Sequence, residues 1–160
     1  MVDHLRQHLL KARHLFLHAE NQITAEKLDN LFIPVFSPRG SNKRTTKEAV
    51  SLNFSRYLEE VESGEVTCNV VDFNTDQGSQ MRVTLATVLQ FITGSSSIPA
   101  LGFDDQPSIT FLHDASGRKL TANTCSNTVH LPVNSTFLSY DNFKVEFTSC
   151  MVESPGFGNV

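Results

Sequence analysis

Thr121-Ala122-Asn123-Thr124-Cys125-Ser126-Asn127-Thr128 is a run of hydroxyls and amides with one thiol in its middle. Side chains of these types bond nearby backbone and favour turns over regular structure. A cysteine in such a turn is accessible and can be hydrogen-bonded, which nucleophilic sulfur chemistry requires. The other two cysteines read differently. Cys68 sits in the alternating run Val66-Thr67-Cys68-Asn69-Val70, and Cys150 lies at helical spacing with Tyr140, Phe143 and Phe147. Both read as small buried hydrophobes. Three cysteines at wide spacing make neither a disulfide framework nor a CxxC metal signature. Cys125 is therefore the candidate nucleophile.

Working outward from it, Thr128 to Leu131 is a short strand bounded by Pro132, and Phe137 to Met151 a final helix stopped by Pro155-Gly156-Phe157-Gly158. Upstream, Ser108 to His113 is a strand closed by the turn Asp114-Ala115-Ser116-Gly117. Met81, Leu85, Val88, Leu89 and Ile92 form a helical stripe ending at Gly94, and Pro99 stops the helix from resuming. Val66 to Phe73 alternates like a strand, and Asn74 to Gln80 reads as a polar turn or linker.

The front reads as mainly helical. Thr45-Thr46-Lys47-Glu48 has capping-box form ahead of a stripe of Val50, Phe54, Tyr57, Leu58 and Val61 that stops near Gly64. Thr24 can cap a short helix running into Leu31-Phe32, with a Pro- and Gly-containing loop over 34–42. Residues 2–19 have an amphipathic pattern, with His4, His8, His14 and His18 opposite the apolar stripe. No third ligand type joins those histidines, so a solvated face is preferred to a metal site. The resulting division is a helical region over 1–73, a linker over 74–80 and a mixed lobe over 81–160, α+β in class.

The 160 residues are 39% hydrophobic and 19% charged, enough apolar content for a packed core and too much for a disordered chain. Twelve Phe and no Trp make that core dependent on phenylalanine. Apolar runs fall short of the roughly 18 residues a membrane helix needs, and the polar start does not read as a signal peptide. The expectation is an intracellular protein, cytoplasmic with the nucleus also open. Net charge is −4, and the basic residues of the front are dispersed without interleaved aromatics, so nucleic acid is not expected as a partner.

Several strings taken together carry a resemblance. They are Leu89-Gln90-Phe91-Ile92-Thr93-Gly94-Ser95-Ser96-Ser97-Ile98-Pro99, Gly102-Phe103, Thr121 to Asn127, Leu131-Pro132 and Gly156-Phe157-Gly158. In this order and spacing, roughly residues 81–160 resemble the C-terminal lobe of HECT-type ubiquitin ligases. The resemblance implies a ubiquitin transferase. Cys125 would accept ubiquitin as a thioester from a conjugating enzyme and pass it to a lysine of a substrate protein, with neither metal nor other cofactor.

Thr124 and Asn127 flank the sulfur. They either hydrogen-bond the thiolate or oxyanion, or stabilise the loop through local bonds. The family keeps a phenylalanine at the position of Phe157, where it helps place the lobe for transfer to lysine. Two departures stand out: Lys119-Leu120 replaces a common Leu-Pro, and Asn159 replaces an apolar tail residue. The front is also far shorter than the family's N-terminal lobe, which docks the conjugating enzyme. Residues 24–73 would match that lobe's last elements. The competing readings are a non-catalytic module that binds ubiquitin or a partner, and a cysteine hydrolase pairing Cys125 with His113 or His130.

Overall fold

The computed structural model describes residues 22–72, 77–113, 117 and 119–154. The expected helix over 2–19 with its four histidines, the turn residues 74–76 and 114–116, and Phe157 with the rest of the tail lie outside the described residues.

Helix α1 (Ala25–Leu31) starts as expected, with the Thr24 hydroxyl accepting from the Lys27 N–H at 3.1 Å. The chain then forms a two-residue strand, β1 (Ile33–Pro34), where the sequence suggested only loop. Pro34 cannot donate, so pairing runs through its neighbours: Ile33 N–H to Pro107 O at 3.0 Å and Val35 N–H to Ile109 O at 2.9 Å. An edge strand is where proline can be accommodated in a sheet.

Helix α2 (Asn42–Ser63) begins three residues before the expected capping box, because Ser41 caps first and accepts from the Lys43 N–H at 3.3 Å. It buries Val50, Phe54, Tyr57, Leu58 and Val61, the stripe expected from the spacing, and stops at Gly64 in the left-handed conformation, φ 82°.

Strands β2 (Thr67–Asp72) and β3 (Gln77–Arg82) pair antiparallel from Thr67↔Arg82 to Asp72↔Gln77. Gln77 to Gln80, read as part of a polar turn or linker over 74–80, are therefore strand. Polar composition misled there because a hairpin ladder is made by backbone groups and can leave polar side chains in water. It also takes Met81 out of the next helix. Helix α3 (Leu85–Thr93) starts only after Thr84, whose hydroxyl accepts from the Thr87 N–H.

The main sheet has the order β1-β4-β6-β5, with β4 (Ser108–Leu112), β5 (Thr121–Asn123) and β6 (Thr128–Pro132). β4 runs parallel to both β1 and β6, and β5 pairs antiparallel with β6. β5 was read as loop; its three residues are too short for any hydrophobic alternation to show. The expected last helix is broken at Ser139 into α4 (Ser135–Leu138) and α5 (Tyr140–Val152).

The core is phenylalanine-built. Phe147 of α5 lies 5.7 Å from Phe54, 4.8 Å from Tyr57, 5.9 Å from Phe91 and 5.6 Å from Phe143, centroid to centroid. Phe32 meets Phe54 edge-on at 5.8 Å. The helical front and the strands behind it therefore share one core, and each buried Phe contributes about 1.5–3 kcal/mol of transfer free energy. The architecture is mixed α/β, as expected. No described helix is long and apolar enough to cross a membrane.

Candidate active site

The polar stretch that singled out Cys125 folds as a tight hairpin. Asn123↔Thr128 is the last pair of the β5–β6 ladder, leaving Thr124, Cys125, Ser126 and Asn127 as a four-residue turn at the end of the sheet. Cys125 is exposed there with its thiol free. The turn is held by its own polar groups. The Asn123 side-chain oxygen accepts from the Cys125 N–H at 3.1 Å, and Asn123 O accepts from the Ser126 N–H at 3.3 Å. On the return side the Thr128 hydroxyl donates to Ser126 O at 2.9 Å and shares a hydrogen bond with the Ser108 hydroxyl at 3.0 Å.

Asn127 closes the turn with φ 49°, the only positive φ at a non-glycine among the described residues. Asparagine is among the few side chains that tolerate this conformation. Its carboxamide is buried and donates to Asp105 O at 2.9 Å, and its own carbonyl accepts from the Ser108 N–H at 3.0 Å. Thr124 is exposed and faces Gly94, the left-handed cap of α3: a Cβ placed on Gly94 would lie 3.6 Å from Thr124 Cβ. The loop beyond Gly94 is knitted by hydroxyls, with Ser95 N–H donating to Thr93 Oγ1 at 3.2 Å and the Ser95 hydroxyl to Ser97 O at 2.7 Å.

The sequence-selected residues Thr124, Cys125 and Asn127 are thus brought into one turn; Phe157 lies outside the described residues. Sequence reasoning missed Asp105, Ser108 and Gly94 as its supports. Asn123, two residues ahead of Cys125, carried an Asx-turn signal that was readable. Asp105 takes part through a backbone carbonyl, which no side-chain motif reports.

The other thiols differ from Cys125 as expected of packing residues. Cys68 is buried on β2, and burial pushes its thiol pKa up. Cys150 is half-buried on α5, a wetter place than the sequence suggested, and burial raises its pKa despite the nearby Lys119. The hydrolase pairing finds no geometry. His130 pairs with Thr121, two ladder positions from the turn, and its Nδ1 shares a 2.5 Å hydrogen bond with the Thr110 hydroxyl. His113 follows the far end of β4, about 16 Å along the strand from Ser108 at 3.3 Å per residue. Among the described residues no group of three His, Cys, Asp or Glu side chains is placed to hold a metal ion.

The family model described as HECT-domain (ubiquitin-transferase) matches residues 80–160, which include the whole turn. A Gallus gallus protein named G2/M phase-specific E3 ubiquitin-protein ligase is 33% identical over 150 residues. That match covers 92% of this chain and 17% of the relative. The Homo sapiens protein of the same name is 27% identical over 135 residues, 84% of this chain and 15% of its own length. The chain therefore spans under a fifth of either relative, while the similarity runs well ahead of residue 80 into the helical front. With the family model matching residues 80–160 and a relative 33% identical across 92% of this chain, the chain belongs to the HECT family.

Proposed function

We propose that this chain transfers ubiquitin through a thioester on Cys125. The observation that supports it most is the exposed thiol at the tip of a turn held by hydrogen bonds at Cys125, Ser126 and Asn127, inside the segment that matches the family. In the first step the Cys125 thiolate attacks the thioester carbonyl carbon of a charged conjugating enzyme. The new Cys125–carbonyl bond forms, the enzyme's cysteine leaves as thiolate, and the proton lost by Cys125 balances that thiolate. In the second step the amine of a substrate lysine attacks the same carbonyl. An isopeptide bond forms, the Cys125 thiolate leaves, and the lysine's proton is released. Exchange between two thioesters is nearly balanced in energy, so the protein's task is alignment rather than activation of a poor leaving group. Ubiquitin, a conjugating enzyme and a substrate protein are the implied partners.

The test is a charging assay with activating enzyme, a panel of conjugating enzymes, ATP and ubiquitin, resolved on a non-reducing gel. A thiol-sensitive adduct is expected on the native chain. It should vanish in Cys125→Ala and become a thiol-resistant ester in Cys125→Ser. If none forms, the chain is joined behind the N-terminal lobe of a HECT relative. An adduct that returns and depends on Cys125 upholds the reading; continued absence turns it to a non-catalytic binding module.

A further inference from the structure

We infer that Asn127 is a positioning residue for Cys125: its carboxamide locks the thiol-bearing turn to the Asp105 segment and so fixes the direction in which the sulfur meets a thioester. The inference rests on the reading of Cys125 as acceptor. Its basis is a choice the sequence makes. A left-handed residue at the end of this turn would be supplied at least as well by glycine, which adopts φ 49° without strain. The chain has asparagine instead and leaves only 8% of it exposed. A buried carboxamide is unfavourable unless bonded, and this one donates to Asp105 O at 2.9 Å.

The remaining bonds show what that contact holds. Cys125 and Ser126 donate their N–H groups back to Asn123, so those bonds shape the turn without tying it to its surroundings. Thr124 faces Gly94, where only an added Cβ would come into van der Waals contact with it. Asn127 is attached outward twice, by its amide to Asp105 and by its carbonyl to the Ser108 N–H at 3.0 Å. Its side chain is thus committed to the loop ahead of β4, which favours holding the turn over direct contact with an oxyanion. Acyl transfer between sulfurs depends on approach angle and distance, and displacements near 1 Å can cost on the order of a hundredfold in rate.

The experiment compares the full chain with Asn127→Gly and Asn127→Asp. Glycine keeps the left-handed backbone and removes the amide. Aspartate keeps size and backbone tolerance but puts oxygen where the donor was. Amide hydrogen exchange by NMR is read at Cys125 and Ser126, with Val129 and Leu131 of β6 as internal references. Single-turnover transfer from a charged conjugating enzyme gives the maximal rate and the KM separately. In both variants, exchange at Cys125 and Ser126 should quicken by about tenfold with the references unchanged. The maximal rate should fall by about tenfold or more with KM unchanged.

Unchanged exchange at the turn overturns the inference. So does faster exchange with a maximal rate within about twofold of native, which leaves Asn127 a loop stabiliser. A native chain that accepts no ubiquitin by itself is assayed behind a HECT N-terminal lobe. Silence there removes the acceptor reading together with the positioning role, whereas a charging native protein with fully active variants removes the positioning role alone. If Asn127→Gly fails to fold, Asn127→Asp carries the same comparison.

Discussion

Lys144 Nζ lies 2.7 Å from the Glu60 carboxylate, closing a span of 84 residues between α5 and α2. Arg56 approaches the same carboxylate at 3.4 Å. Burial pushes the Glu60 carboxyl up, but the hydrogen bond from Lys144 and the charges of Lys144 and Arg56 outweigh it and hold the group below its ordinary range. A pKa depressed in the folded state contributes stability above the unfolded value, about 4.3, and that stability is lost as pH falls through the folded value. Glu60→Gln should therefore be less stable than native by about 1 kcal/mol near neutral pH, a partly exposed pair being discounted for screening. Urea melts at a series of pH values check this. The gap between the two proteins should close below about pH 4, and a constant gap would refute the assignment.

Phe147 joins α2, α3 and α5 in one core. Its ring lies within 6 Å of Phe54 and Tyr57 of α2, Phe91 of α3 and Phe143 of its own helix. Phe147→Ala should cost about 3–5 kcal/mol. Because Tyr57 is fully buried against it, near-UV dichroism and far-UV helix signal should be lost together in denaturant. Two separated transitions would show that the helical front and the rest unfold independently.

The parts of this fold that were readable in the sequence are those where side-chain burial sets the pattern. Val50, Phe54, Tyr57, Leu58 and Val61 repeat at helical spacing and are buried together. Ser108 to Leu112 and Thr128 to Pro132 fall on strands close to where alternation and proline put them. The reading failed where backbone pairing alone decides. Gln77 to Arg82 is a polar strand, Ile33–Pro34 a strand of two residues, and Thr121–Asn123 one of three. The site shows the same division. That Cys125 lies exposed in a turn was legible from its polar neighbours, whereas the Asp105 carbonyl that receives Asn127 is a main-chain atom 22 residues away that no motif encodes.

Gly94 serves two structures at once. It caps α3 at φ 76°, and its Cα faces the Thr124 side chain at a distance where an added Cβ would be in ordinary contact. Space is therefore adequate, and the penalty for Gly94→Ala comes from the left-handed backbone. It should lower stability by about 1–2 kcal/mol. Gly94→Asn should recover part of that loss, because asparagine tolerates the conformation. Denaturant midpoints of the three proteins check the order Gly, Asn, Ala; equal losses for Asn and Ala would mean that contact with Thr124, not backbone strain, sets the cost.

The three thiols should form a ladder of reactivity that needs no ubiquitin to measure. Cys125 is exposed at a turn tip, Cys150 half-buried on α5 and Cys68 buried on β2. Burial raises the thiol pKa of Cys68, and likewise that of Cys150, so their thiolate fractions near neutral pH are below that of an ordinary cysteine. Alkylation of the native chain with iodoacetamide, followed by peptide mass spectrometry, should modify Cys125 first and Cys150 more slowly. Cys68 should lag Cys125 by about a hundredfold, because reagent reaches it only when β2 opens locally. Raising the pH should quicken Cys150 without reordering the three, since access as well as ionisation limits it. Cys125→Ser should abolish the fast phase alone. A Cys68 that reacts as quickly as Cys125 would mean that the face of β2 carrying it is not closed by the core in solution.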